Sequence, residues 1–192
     1  MKTGNVRLLV ADATTGAPVA EHVYRLGDPS EEGWARRGAP PDDGKLCCLA
    51  TLADGSLLVL EQADGGLARL YQADPRGATD TLTRTRRGEG EPLETIGDLA
   101  AADIEPLRKS LVADLGPLVP RFRADVFGSD NDPRAKLKLE GLAILDDQRL
   151  LLVNDDDFGV HARPGSPRPR SCLWVVRLPA PLAAHDSLTT RR

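Results

Sequence analysis

The sequence is poor in aromatic residues (4% of 192), holds one methionine, and has only three cysteines. Cys47 and Cys48 are adjacent and Cys172 is far away, so no disulfide framework follows and stability must come from burial. Positive charge is not in excess: 25 Lys and Arg face 29 Asp and Glu, a net charge of −4. That balance excludes general nucleic-acid binding, which needs a basic face. No apolar run approaches the ~20 residues of a membrane span. The opening Met1-Lys2-Thr3-Gly4-Asn5-Val6-Arg7 has no apolar h-region, so no signal peptide is expected in this chain. There is no G-x-S-x-G nucleophile elbow and no H-E-x-x-H, and Gly44-Lys45-Leu46 lacks the Ser or Thr of a P-loop. His22, His161 and His185 show no metal spacing and read as surface or loop residues.

What the chain does have is glycine (18) and proline (15) between short apolar runs, the pattern of many strands joined by tight turns. Val6–Ala11 and Val19–Leu26 read as a hairpin around Asp12-Ala13-Thr14-Thr15-Gly16. A polar loop follows from Gly27 to Lys45. Leu46–Leu52 and Ser56–Glu61 flank Asp54-Gly55, a strong hairpin signal, and Leu67–Ala73 is the next strand. Arg76–Asp80 reads as a turn, Arg84–Pro92 as a charged loop and Glu94–Ile104 as a short helix. Lys109–Ala113 is a fourth strand, and Pro117, Pro120 and Pro133 are expected to break any long element over 114–136. Leu137–Leu145, Arg149–Asn154 and Cys172–Leu178 are three further strands, and the chain after Pro179 reads as a frayed tail.

The chain is self-similar. Leu46–Gly66 overlays Leu139–Gly159 without a gap. Leucines 46, 49, 52, 57 and 58 fall on leucines 139, 142, 145, 150 and 151; Ala50 falls on Ala143, Asp54 on Asp147, Asp64 on Asp157 and Gly66 on Gly159. Each copy runs on to an aromatic beside a leucine, Leu70-Tyr71 and Leu173-Trp174. The units are therefore meanders of three or four strands that must stack to bury their faces, and radial stacking of such sheets is the β-propeller. The alternative is that two apolar hairpins look alike because leucine is common. Two units and a leading hairpin fall short of the ~4–8 blades of a closed ring. The expected fold is thus all-β, an incomplete propeller whose open blade edges invite self-association.

Lys138-Leu139-Glu140-Gly141-Leu142-Ala143, followed by Leu150-Leu151-Leu152-Val153-Asn154-Asp155-Asp156-Asp157-Phe158-Gly159, resembles the C-terminal signature of the phytase-like family, the esterase-like activity of phytase. Val6–Leu26 resembles that family's hairpin, with Tyr24 as its aromatic. Leu57–Glu61 resembles its L-L-V-L-E-R strand, and Ala68-Arg69-Leu70-Tyr71 with Gly77-Ala78-Thr79-Asp80 its R-L-Y…G-A-T-D stretch. The resemblance implies a β-propeller and a usually periplasmic or extracellular protein. It also implies that residues 1–192 are one such domain, the C-terminal portion of a longer propeller, with 179–192 as its tail. The chain departs from the pattern at two places: Gln62 stands where the family usually has Arg, and Cys47-Cys48 replaces a more polar strand.

For chemistry, Glu140 with Asn154, Asp155, Asp156 and Asp157 is the strongest constellation. Hard oxygen donors from two neighbouring segments suit Ca²⁺, which could polarise a phosphoryl or ester oxygen. The plainer reading is an Asx turn beside an ordinary strand glutamate. Asn154, Asp155, Asp156 and Glu140 are the metal-site candidates, and Arg69 and Lys138 the candidates for an anionic substrate. Lys136 is a weaker one, and for each ordinary surface charge is the default. Glu61 overlays Asn154 and reads as a channel-facing base or ligand, or, by default, as a solvated carboxylate. Cys47 and Cys48 are expected to alternate inward and outward, and Arg163, Arg168 and Arg170 to lie in a solvated loop. The function expected is a calcium-assisted hydrolase of small phosphate or carboxylic esters, with no catalytic residue identified. The alternatives are a propeller that binds a ligand or partner without catalysis, and an inactive truncated fragment.

Overall fold

The computed structural model describes residues 3–27, 44–63, 66–88, 90–128, 136–156 and 169–182. The chain is mostly β, and among the described residues it forms three antiparallel sheets with two short helices and three 3₁₀ turns. The first sheet is the hairpin β1 (Asn5–Ala11) and β2 (Pro18–Arg25). The second is a four-stranded meander of β3 (Lys45–Thr51), β4 (Leu57–Ala63), β5 (Leu67–Asp74) and β6 (Arg108–Asp114). The third is a three-stranded meander of β7 (Leu139–Ile144), β8 (Arg149–Asn154) and β9 (Leu173–Arg177). None of the three sheets closes on itself.

The internal repeat holds to the residue. Leu46 faces Glu61 as Leu139 faces Asn154, Cys48 faces Leu60 as Gly141 faces Val153, and Leu49 faces Val59 as Leu142 faces Leu152. Both pairs slip register at the same place, so Cys47 and Glu140 are the extra residues of equivalent β-bulges. The aromatics match as well: Tyr71 pairs with Val59 and Trp174 with Leu152. Leu52 N–H donates to the Ser56 carbonyl at 2.8 Å, as Leu145 N–H does to that of Arg149 at 2.9 Å. Gly55 takes φ = 82° in the first turn, a conformation in which a Cβ would be strained.

Period-two alternation gives β4 two apolar faces. Leu57, Val59 and Glu61 look toward the hairpin, where Val59 and Ala73 pack with Tyr24 and Leu107. Leu58 and Leu60 look the other way, into the main core with Leu70, Leu139, Leu150, Leu152 and Val176. The sheets therefore stack face to face in chain order, with β3 lying against β7.

Part of the expected Arg84–Pro92 loop and part of the proline-broken stretch over 114–136 are helical. Leu82–Arg87 is a short helix (α1), because Asp80 Oδ1 receives the Leu82 N–H at 2.9 Å and Gly88 ends it in the left-handed region. Val119–Phe127 is a nine-residue helix (α2); Pro120 sits in its first turn, where a missing N–H costs nothing, so it opens the helix instead of breaking it. The helix expected over 94–104 is instead two 3₁₀ turns, Leu93–Thr95 and Ala100–Ala102, with Ile96 extended between them. This segment covers the hairpin's outer face, where Leu93, Ile96, Leu99 and Ile104 close over Val23. Asn5 Nδ2 donates to the Leu93 and Ile96 carbonyls at 2.8 and 2.9 Å, and Leu107 N–H donates to the Val23 carbonyl at 2.8 Å. Most of the Gly27–Lys45 loop, His161, His185, Arg163, Arg168, Asp157 and the tail beyond residue 182 lie outside the described residues. Among the described residues no helix is long and apolar enough to cross a membrane.

Candidate functional site

The polar residues singled out from the sequence gather at one end of the sheets. β4 and β8 end there while β3, β5, β7 and β9 begin, because Glu61 pairs with both Leu46 and Arg69, and Asn154 with Leu139.

Glu61 is the centre of the first cluster, and it is not the solvated carboxylate expected of a strand end: it is fully buried. Its Oε1 accepts from the Tyr24 hydroxyl at 2.5 Å and from Lys109 Nζ at 2.6 Å, and its Oε2 accepts from the Gly27 N–H at 3.0 Å. A buried charge persists only when paired and hydrogen-bonded, and here three donors satisfy one carboxylate. The Lys109 ammonium lies 4.3 Å from the Tyr71 ring centroid and 4.9 Å from that of Tyr24, a second source of attraction for the cation. Burial, and then the neighbouring Glu61 charge, push the Tyr24 hydroxyl far above the usual phenol range. The cluster locks the hairpin onto the second sheet. Arg69 is half-buried on the same face, with Nη1 donating to the Tyr71 hydroxyl at 3.4 Å.

Gln62 faces the opposite way and joins the second sheet to the third. Its Nε2 donates to the Leu137 carbonyl, and its Oε1 accepts the Leu139 N–H at 2.9 Å. The residue that departs from the family pattern is thus a two-way amide clasp. Cys47 Sγ lies 3.6 Å from Gln62 Oε1. The bulge at this point overrides the expected inward-outward alternation: Cys47 and Cys48 are both half-buried and both touch the core. Burial pushes their thiols up to about 11 and about 12, which makes them poor nucleophiles.

The third sheet supplies the rest. Glu140 is exposed on its bulge, with Oε1 4.0 Å from Lys45 Nζ. Gly141 follows because an added Cβ would run into Val153 Cγ1 on the facing strand. The Asn154 amide is engaged on both sides: Nδ2 donates to the Arg170 carbonyl at 3.0 Å, and Oδ1 accepts the Cys172 N–H at 2.7 Å. Asp155 N–H donates to the Lys138 carbonyl at 3.0 Å, and Asp156 Oδ2 accepts from the Ser171 hydroxyl at 2.8 Å. Lys138 is half-buried and Lys136 exposed. Among the described residues no three acidic, histidine or cysteine side chains converge as metal ligands. Glu140, Asn154, Asp155 and Asp156 therefore share one end of a sheet without forming a cation cage by themselves. His22 Nδ1 lies 3.1 Å from the Thr79 carbonyl, a structural contact.

Residue types in the sequence pointed to Glu61, Arg69 and Glu140. They did not point to Lys109, whose role depends on a carboxylate 48 residues away. No curated protein and no solved structure matches the chain. One family model does match, covering residues 1–158 of 192, and its description is Phytase-like: Esterase-like activity of phytase. The segments that converge here, around Tyr24, Glu61, Arg69 and Glu140–Asp156, all fall within that match, and the chain belongs to the phytase-like family.

Proposed function

We propose that the chain is a hydrolase of small phosphate or carboxylic esters, built from blades of a β-propeller, with the Glu61–Asn154 end as its substrate face. The observation that carries this reading is convergence: the family segments around Tyr24, Glu61, Arg69 and Glu140 lie far apart in sequence yet share one end of three stacked sheets. The blade arrangement is supported by the identical registers of the two meanders and by their face-to-face stacking in chain order.

Within this proposal Lys138 and Arg69, with Lys45, attract the anionic substrate. Glu140 is the exposed carboxylate beside Lys45, while Glu61 is withdrawn from reaction by its three donors and holds the frame. No three acidic, histidine or cysteine side chains converge among the described residues, and no step is routed through a calcium ion. Calcium belongs to the reading through the family resemblance and is tested directly.

The test is hydrolysis of an aryl phosphate and an aryl acetate by the purified chain, with EDTA and with Ca²⁺, beside Glu140→Gln and Lys138→Ala. Turnover of either ester that falls about tenfold or more in both variants supports the reading. Turnover no faster than buffer in every condition, or unchanged in both variants, refutes it. A melting temperature that rises with Ca²⁺ in the wild type but not in Glu140→Gln would place the metal.

A further inference from the structure

Among the described residues the repeat leaves one strand without its counterpart: in the second sheet β5 carries a fourth strand, β6, on its far edge, whereas the equivalent strand of the third sheet, β9, is the edge itself. Proteins guard such edges with bulges, prolines or lysines. The pairings that include β1, β3, β6 and β7 each contain a register shift, and β2 begins with Pro18. The β8–β9 pairing runs from Arg149–Arg177 to Val153–Leu173 without a shift, and β9 contains neither Pro nor Lys. Leu173 and Val175 on this strand are 69% and 60% exposed, the highest values among the large apolar side chains described. Beside the edge runs an open cleft of about 420 Å³, with Leu118, Arg121 and Asp125 of the α2 region as its other wall.

We propose that two copies of this chain associate through their β9 edges, antiparallel about Val175, into a continuous six-stranded sheet. A second copy is the occupant because a regular edge needs a regular edge. Among the described strands that lie at a sheet edge, β9 is the one with no shift, no Pro and no Lys, so the strand of this chain that fits β9 is β9. The two-fold arrangement is isologous. It sets Val175 against Val175 of the copy, Trp174 against Val176, and Leu173 against the aliphatic stem of Arg177, which covers exposed leucine while its guanidinium stays in water. The stack cannot grow head to tail in the same way, because the hairpin's outer face is already closed by Leu93, Ile96, Leu99 and Ile104. The inference does not depend on the proposed reaction.

The experiment is sedimentation velocity of the full chain over a range of concentrations, for the wild type and Val175→Lys, with oxidative cross-linking of Val175→Cys and Leu145→Cys. Leu145 is 47% exposed on a turn and serves as the control. Directly opposed residues of an antiparallel pair lie within disulfide reach. The native Cys47 and Cys48 react slowly, their thiols standing at about 11 and about 12, and Cys172, which directly precedes β9, is replaced by serine in every cross-linking variant. The expected result is a reversible wild-type dimer, a dissociation constant raised about tenfold or more in Val175→Lys, and a cross-linked dimer for Val175→Cys alone. At concentrations where the wild type is monomeric all variants should keep its melting temperature, since both positions are exposed, whereas Val175→Lys should melt lower where the wild type is dimeric. A wild type monomeric at every concentration overturns the proposal. So does a dimer that Val175→Lys leaves unchanged, or cross-linking equal at positions 175 and 145.

Discussion

Replacing Lys109 with methionine tests whether the buried carboxylate is the lock between the hairpin and the second sheet. The substitution keeps most of the side chain's length and apolar contact with Tyr24 and Tyr71 but removes the ammonium. Glu61, with no exposed surface, would keep only the Tyr24 hydroxyl and the Gly27 N–H. Removing one partner of a buried pair costs about 3–5 kcal/mol. The Lys109 side chain is 19% exposed, so water already screens part of the interaction, and about 2–4 kcal/mol is the reasonable expectation. For a chain of this size that is a fall in melting temperature of roughly 4–16 °C. The decisive measurement is a double-mutant cycle with Glu61→Gln, by urea denaturation followed by circular dichroism. In Glu61→Gln/Lys109→Met no charge is left buried, so the double variant should be at least as stable as Lys109→Met alone. A coupling of about 1.5 kcal/mol or more is expected. If Lys109→Met costs less than about 0.5 kcal/mol, or the cycle closes without coupling, the pair is not what holds the hairpin.

Two further predictions concern the same interfaces. Gln62→Arg, which restores the family's residue, should cost about 1–3 kcal/mol in urea denaturation, because a guanidinium can still donate to the Leu137 carbonyl but has no acceptor for the Leu139 N–H; equal or greater stability would contradict the clasp. Tyr24 favours its protonated form in the folded state, so its contribution to stability is full below pH 10.0 and falls as pH rises above that value. The ultraviolet difference between wild type and Tyr24→Phe should therefore show no tyrosinate until the chain unfolds, and a reversible tyrosinate signal near pH 10 in folded protein would count against it.

The strands were legible because each is a short apolar run bounded by glycine or aspartate turns, and those turns form as their chemistry requires. Asp12 Oδ1, for example, takes the Thr14 and Thr15 N–H groups at 3.0 and 2.7 Å. The repeat was legible in leucine positions, and the structure adds the matching bulge that no spacing rule reveals. The helices were not legible. Leu82–Arg87 is mostly polar and short, and its start depends on a backbone bond from Thr81 N–H to the Glu21 carbonyl at 2.7 Å. Val119–Phe127 carries a proline that reads as a breaker until its place in the first turn is known. The burial of Glu61 was hidden because its donors come from other elements, Tyr24 at 37 residues' distance and Lys109 at 48.

Glu61 and Asn154 show how far a repeat constrains a site. The overlay equates them, and the structure gives both the same register and the same direction, toward the preceding sheet. For Glu61 that neighbour is the hairpin, which presents a tyrosine hydroxyl and a backbone N–H, and β6 adds an ammonium. A carboxylate is stable against that donor set. For Asn154 the neighbour is the face of Leu58 and Leu60, whose nearest amide, Gln62, is already engaged with the Leu137 carbonyl and the Leu139 N–H. A carboxylate buried there would be left uncompensated at a cost of several kcal/mol. A neutral amide instead turns onto its own sheet's lead-in, giving one hydrogen bond to the Arg170 carbonyl and accepting one from Cys172. The repeat thus fixes where a polar side chain points, while the donors of the sheet it meets fix whether that side chain carries charge. By the same logic Asn154→Glu, which puts a carboxylate in place of the amide, should destabilise the third sheet far more than Glu61→Gln, which puts an amide in place of the carboxylate, destabilises the second, as urea denaturation of the two variants would show.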